Sequence, residues 1–294
     1  MHSCTLCPRN CGADRSNGQK GVCGETETVR LSRAALHFWE EPCISGKKGS
    51  GTVFFSGCSM RCVYCQNREI SMGDAGKAVS NQRLADIFIE LQGKGAENIN
   101  LVTPTHFVPQ IIYAVKLARE KGLLLPIVYN TSGYETEETI ESLSGIVDVY
   151  LTDFKYMSAR LSEQYSKASN YAEIAKKAVH KMVLHQPRPV FENGMLKKGV
   201  IVRHLILPGC VIDSKAILKY LHQTYDDKIL LSIMRQFTPY KIPAEFAELN
   251  RTVTDAEYAS VIRYALRIGI ENAFVQGKEA AKESFIPPFT YEGV

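Results

Sequence analysis

Seven short apolar runs, separated by longer amphipathic stretches, set the strongest limit on what this chain can become. The runs are Thr52–Phe55, Ile99–Val102, Pro126–Tyr129, Val147–Leu151, Val200–Leu207, Ile229–Ile233 and Asn272–Val275. Each is short and predominantly apolar, as strands of a parallel sheet buried on both faces are. The stretches between them fall at about 81–93, 107–121, 135–144, 158–184, 213–224 and 254–268. Leu84, Ile87, Phe88 and Leu91, spaced i, i+3, i+4, i+7, give the first of these one apolar helix face. Strand–helix alternation over about six units predicts an α/β chain with a parallel sheet, closed or partly closed into a TIM-type barrel. Right-handed crossovers then put functional residues just after each apolar run, at the C-terminal strand ends. Asn193-Gly194 predicts a hairpin leading into the fifth strand, and the tail SFIPPFTYEGV reads as extended and stiffened by proline.

The cysteines are as uneven as the strands are regular. Of nine, Cys4, Cys7, Cys11, Cys23, Cys43, Cys58, Cys62 and Cys65 precede residue 66 and only Cys210 follows. A disulfide framework would spread its cysteines over the parts it staples, so the clustering points to metal. Lys+Arg exceed Asp+Glu by 35 − 31 = 4 with no basic block, which argues against a nucleic-acid partner. No apolar run reaches the roughly 18–20 residues of a membrane span, and the first twelve residues have no basic-then-apolar leader pattern. A cytoplasmic protein is the expectation. Residues 1–50 form a Cys-rich extension, ending in the flexible connector SGKKGSG, and residues 51–294 form the barrel core with its tail.

The first strand, GTVFFS, runs directly into GCSMRCVYCQN, placing Cys58, Cys62 and Cys65 in the loop at its C-terminal end. Three thiolates in one short loop can hold three irons of a 4Fe–4S cube, leaving the fourth iron open to an outside ligand; part of a zinc site or three free thiols is the plainer alternative. Tyr64 gives the loop an aromatic wall. The segment Gly57-Cys58-Ser59-Met60-Arg61-Cys62-Val63-Tyr64-Cys65-Gln66-Asn67-Arg68 resembles the radical S-adenosylmethionine (SAM) enzymes, most closely the pyruvate formate-lyase activating enzymes and their homologues, with weaker similarity to about residue 245. The resemblance implies a partial (β/α)6 barrel with a small Cys-rich N-terminal extension, a 4Fe–4S cluster on Cys58, Cys62 and Cys65, and reductive cleavage of SAM. The resulting 5′-deoxyadenosyl radical would take hydrogen from a protein glycine, as in activation of a glycyl radical enzyme. It further implies a flavodoxin- or ferredoxin-type electron donor. Another peptide or small-molecule substrate is the alternative within the class, and a non-catalytic metal-binding or electron-transfer protein the alternative outside it.

Polar residues stand at the other strand ends, and the resemblance turns them into candidates for SAM. Thr103 and Thr105 occupy the place where relatives carry a Gly-Gly-Glu-type segment holding the methionyl amine. Asn130, Thr131 and Ser132 resemble an Asp-Thr-Asn segment near the ribose, with Asn130 replacing the acid. Asp153 and Lys155 resemble the activases' Asp-Leu-Lys. Alternation lets only one of Arg203 and His204 point inward; the family pattern favours Arg203, whose fork suits a carboxylate. Gln236 is the candidate for the adenosine.

The extension carries Cys4-x2-Cys7-x3-Cys11-x11-Cys23. Four thiolates make a closed site that suits structural zinc or a fully ligated iron–sulfur cluster. Arg9, Arg15 and Lys20 are the only Lys or Arg residues in its first 28 residues, too few for a zinc ribbon on nucleic acid.

Overall fold

A computed structural model describes residues 3–73, 75–271, 273–276 and 287–294. Ten strands form one twisted sheet: β1 (Arg30–His37), β2 (Ser50–Phe55), β3 (Lys77–Ala78), β4 (Ile99–Val102), β5 (Ile127–Thr131), β6 (Val149–Asp153), β7 (Val190–Glu192), β8 (Met195–Leu205), β9 (Leu230–Met234) and β10 (Ala273–Val275). The spatial order is β10-β9-β8-β6-β5-β4-β2-β1-β3, with β7 paired only to β8. From β2 to β10 every neighbouring pair on this path is parallel, while β1 runs antiparallel to both β2 and β3. The helices are α1 (Pro42–Ser45), α2 (Arg68–Ser71), α3 (Asn81–Gly93), α4 (Val108–Glu120), α5 (Glu137–Ser142), α6 (Ala159–Ser166), α7 (Tyr171–His185), α8 (Val211–Tyr225) and α9 (Asp255–Arg267). No described helix is long and apolar enough to cross a membrane.

Local chemistry sets these bounds. Ser80 caps α3 by accepting from the Arg83 N–H at 3.0 Å, and Leu84, Ile87, Phe88 and Leu91 bury the predicted face. Thr254 and Glu257 close a capping box on α9. Asn193 (φ 51°) and Gly194 (φ 80°) make the β7–β8 turn. The stretch expected as one helix over 158–184 is two. Lys167 ends α6 in the left-handed region, and α7 restarts after Asn170. The connector over 45–51 is ordered instead of loose: Ser45 belongs to α1, and Ser50 and Gly51 belong to β2.

The period of two separates the sheet's faces. Tyr129, Tyr150, Val200 and Val202 look outward to the helices and join the large core. Val128, Val149, Leu151 and Ile201 look inward, where Cys43 and Ile44 of α1 pack against them as a plug. Further along the same inward rows come Asn130, Asp153 and Arg203. The barrel interior is therefore apolar and stoppered at one end, and polar at the C-terminal strand ends. The described tail lies on β1, where Ala34 N–H donates to the Glu292 carbonyl at 2.8 Å.

Candidate functional site

The loop after β2 is held tightly. Gly57 sits at φ 82°, and a Cβ there would lie 2.6 Å from Glu25 Cγ and 2.7 Å from the Cys23 carbonyl, so no larger residue fits. The Cys58 N–H donates to that Cys23 carbonyl at 3.1 Å, and the Cys65 N–H to the Cys62 carbonyl at 3.1 Å. Ser166, at the end of α6, donates to Cys62 Sγ at 3.0 Å. Its hydroxyl also meets Tyr156 (2.8 Å), which meets Tyr64 (2.7 Å). Burial pushes the Cys65 thiol up to about 12, with the neighbouring Cys58 and Cys62 adding to it. Burial likewise pushes Cys58 up, Cys62 adding to it. Such thiols ligate only when a cationic group displaces their protons. Three thiols from one loop, with a cleft opening beside Cys62 and Cys65, fit a cube that lacks a fourth protein ligand.

That cleft is a cavity of about 220 Å³ lined by Cys62, Tyr64, Cys65, Asn130, Asp153, Lys155, Arg203 and Gln236, together with His37, Trp39, Glu40, Gln66 and Asn67 among others. Arg203 ties it together. Its Nε donates to Asp153 Oδ1 (3.2 Å), Nη1 to Glu40 Oε2 (3.0 Å) and Nη2 to Asn130 Oδ1 (2.6 Å). Lys155 Nζ donates to Asp153 Oδ2 at 2.6 Å. Burial would raise the Asp153 carboxyl, but Lys155 and Arg203 override it and hold it below its usual value. Gln236 accepts at its carbonyl from Gln66 Nε2 (2.9 Å) and at its side chain from Gln276 Nε2 (3.0 Å). Glu40 was not foreseen. It lies between β1 and α1, away from the C-terminal ends of the parallel strands, and only the acidic pair Glu40-Glu41 marks it.

Other candidates lie elsewhere. Thr105 donates to Glu135 Oε1 at 2.7 Å and Thr131 donates to the same oxygen. Both hydroxyls are thus spent on a buried carboxylate, and neither lines the cleft. Burial pushes Glu135 up to about 7 against the hydroxyls of Thr105, Thr131 and Tyr129. Thr131 follows Asn130 directly, so alternation turns it to the opposite face. Thr103 (φ 58°) and Ser132, whose carbonyl accepts from Tyr171 at 2.7 Å, are also absent from the cleft lining. His106 is buried against the Ser56 carbonyl at 2.6 Å. His204 faces outward, between the Phe154 carbonyl and Ser214 Oγ, each at 2.9 Å.

The extension's four cysteines come together through tight turns: Asn10 N–H to the Cys7 carbonyl (3.0 Å), Gly12 N–H to the Cys4 carbonyl (3.2 Å) and Gly24 N–H to the Gly21 carbonyl (2.9 Å). Cys11 Sγ and Cys23 Sγ stand 3.4 and 3.3 Å from where a Cβ on Gly21 would be. Burial pushes Cys7 up to about 12. At Cys11 partial burial is outweighed by backbone N–H groups, Ala13 and Val22 first, which hold the thiol below its usual value. Among the described residues no three His, Cys, Asp or Glu side chains already converge on a single ion. The extension is bolted to the β2 loop. Besides the Cys58 N–H donating to the Cys23 carbonyl, Arg9 donates to the carbonyls of Ser59 (2.8 Å), Ser166 (2.7 Å) and Lys167.

Comparison with known proteins gives this arrangement relatives. Residues 52–221 match the family described as the Radical SAM superfamily. An uncharacterized protein of Methanocaldococcus jannaschii is 29% identical over 281 residues, covering 92% of this chain and 76% of its own. Pyruvate formate-lyase 1-activating enzyme of Escherichia coli K12 is 25% identical over 167 residues, covering 53% of this chain and 61% of that enzyme. Among solved structures, methylornithine synthase superposes with a TM-score of 0.51 at 12% identity, over 83% of this chain and 72% of that one, which is a likeness of fold.

Proposed function

The chain belongs to the radical SAM superfamily, whose members use a 4Fe–4S cluster and SAM, and from that premise we propose that it cleaves SAM reductively in the cleft beside Cys58, Cys62 and Cys65 and takes hydrogen from a protein or peptide substrate. The observation that carries the reading is the junction of one three-thiol loop with a polar cleft at the C-terminal strand ends. A bound cluster would supply the electron that cleaves the S–C5′ bond of SAM into methionine and the 5′-deoxyadenosyl radical.

The chain's own residues hold and orient. Cys58, Cys62 and Cys65 ligate three irons as thiolates, and Ser166 keeps a hydrogen bond on Cys62. Lys155, anchored at 2.6 Å by Asp153, offers its ammonium to the methionyl carboxylate. Asn130 and Glu40, fixed by Arg203, face the ribose and amine. Gln236 with Gln66 borders the adenine, and Tyr64 walls the loop. In the extension, Cys4, Cys7, Cys11 and Cys23 would form a second metal site, closed by its four thiolates and set against the first by the hydrogen bond from the Cys58 N–H to the Cys23 carbonyl. Four thiolates of this kind suit structural zinc or a fully ligated iron–sulfur cluster.

Similarity to the E. coli activating enzyme supports a glycine of a partner protein as the hydrogen source, with a flavodoxin- or ferredoxin-type protein supplying the electron. Incubation of the reduced enzyme with SAM and pyruvate formate-lyase tests this by EPR. A glycine radical is the expected result. Release of 5′-deoxyadenosine without that radical would instead favour another peptide or a small molecule.

A further inference from the structure

A second cavity, of about 280 Å³, opens directly off the cleft. The two share Trp39, Glu40, Arg203, Met234 and Gln236. Its far wall is Glu41 and Pro42 from the start of α1, Ser232 of β9 and Phe274 and Val275 of β10. It lies where the sheet is open, since β10 pairs with β9 only among the described strands.

The two neighbouring acids differ. Glu40 is fully engaged, accepting from Asn100 (3.0 Å) and Asn130 (3.3 Å) at Oε1 and from Arg203 (3.0 Å) at Oε2. Glu41 is 8% exposed, and its Oε2 is buried without a hydrogen-bond partner. A buried carboxylate oxygen left without a partner is costly, and Gln or an apolar residue would avoid the charge. Glu41 is also fixed in place. Its carbonyl accepts from Ile44 (2.8 Å) and Ser45 (3.1 Å), starting the helix that plugs the barrel. Burial pushes the carboxyl up, with Arg203 and Ser232 opposing; a cation brought alongside would restore the charged form.

We propose that this cavity is the substrate subsite and that it takes a cationic group, an ammonium or guanidinium, with Glu41 as its counter-charge. The inference rests on the proposed function, in which SAM fills the adjoining cleft. Met234 and Phe274 supply the apolar walls for the carbon stem of such a group, and Gln236 borders both compartments. The substrate is thus a lysine- or arginine-bearing peptide, or an amine of that shape.

Trp39 is the only tryptophan in the sequence and lines both cavities, so its fluorescence reports on the subsite. The reconstituted enzyme with SAM is titrated with N-acetyl-lysine amide, N-acetyl-arginine amide and the neutral N-acetyl-norleucine amide. Either cationic amide is expected to change the Trp39 signal saturably, binding at least tenfold more tightly than the neutral one. Glu41→Gln should weaken the cations tenfold or more. Val275→Arg, on the exposed rim, should do the same by supplying its own guanidinium. Equal binding of the neutral amide, or unchanged cation binding in Glu41→Gln, would overturn the subsite. So would a loss confined to SAM, measured in parallel by equilibrium dialysis. Failure of the unaltered protein to bind SAM would overturn the proposed function, whereas SAM binding without cation binding overturns this inference alone.

Discussion

Replacing Arg203 with Met tests whether the cleft's polar network is an energetic unit. The guanidinium side chain is 14% exposed and joins β8 to β6, β5 and the α1 approach through Asp153, Glu40 and Asn130. Met matches its stem but removes all three bonds. Asp153 keeps Lys155 at 2.6 Å, and Glu40 keeps the amides of Asn100 and Asn130. Neither carboxylate is wholly abandoned. Breaking a buried ion pair costs about 3–5 kcal/mol, and these remaining partners place the expected loss near the lower end, about 3 kcal/mol. Lys at 203 keeps the charge but reaches only part of the fork, so about half the loss should remain. Anaerobic urea unfolding measures this as a fall in midpoint at constant slope. A loss below about 1 kcal/mol in Arg203→Met, or full recovery in Arg203→Lys, would refute the reasoning.

Other consequences are open to direct measurement. Ser166→Ala removes the hydrogen bond on Cys62 Sγ; a net bond of about 0.5–1.5 kcal/mol corresponds to roughly 20–60 mV for one electron, so redox titration should show the cluster potential lower by that amount. Burial holds His204 down to about 4 and His106 down to about 3, against about 6.5 when unfolded. Their contribution to stability is full above pH 6.5 and is lost as pH falls through 4, about 3 kcal/mol for His204; His204→Gln should flatten the pH dependence of unfolding over that range. Gly57→Ala drives a Cβ against Glu25 and the Cys23 carbonyl and should lower iron retention at the β2 loop. Cys7→Ser with Cys11→Ser should release the extension's zinc or iron while leaving the iron on Cys58, Cys62 and Cys65, as metal analysis would show.

The strand–helix rhythm was legible because each buried strand falls in a mostly apolar run, and all seven runs overlap strands, the last over Ala273–Val275 because Asn272 lies outside the described residues. Strand β1, set between β2 and the two-residue β3, escaped because charged and polar residues interrupt it. Its Arg30, Arg33 and His37 break the apolar run that a central strand shows. The helix break at Lys167 escaped because no Gly or Pro marks it. At the strand ends, the pair Asn130–Thr131 shows where a one-dimensional reading stops. Both are polar and adjacent, yet the pleat sends one to Arg203 and the other to Glu135. Arg203 and His204 divide in the same way. Glu40 and Glu41 required the fold itself, because only the return of α1 into the barrel brings them beneath the strand ends.

The most direct test of the account is product formation. The protein is reconstituted anaerobically with iron and sulfide, reduced, and given SAM. 5′-Deoxyadenosine is expected from the unaltered protein and none from Cys58→Ala. No product from the intact protein under conditions where a known relative works, or equal product from Cys58→Ala, would contradict it.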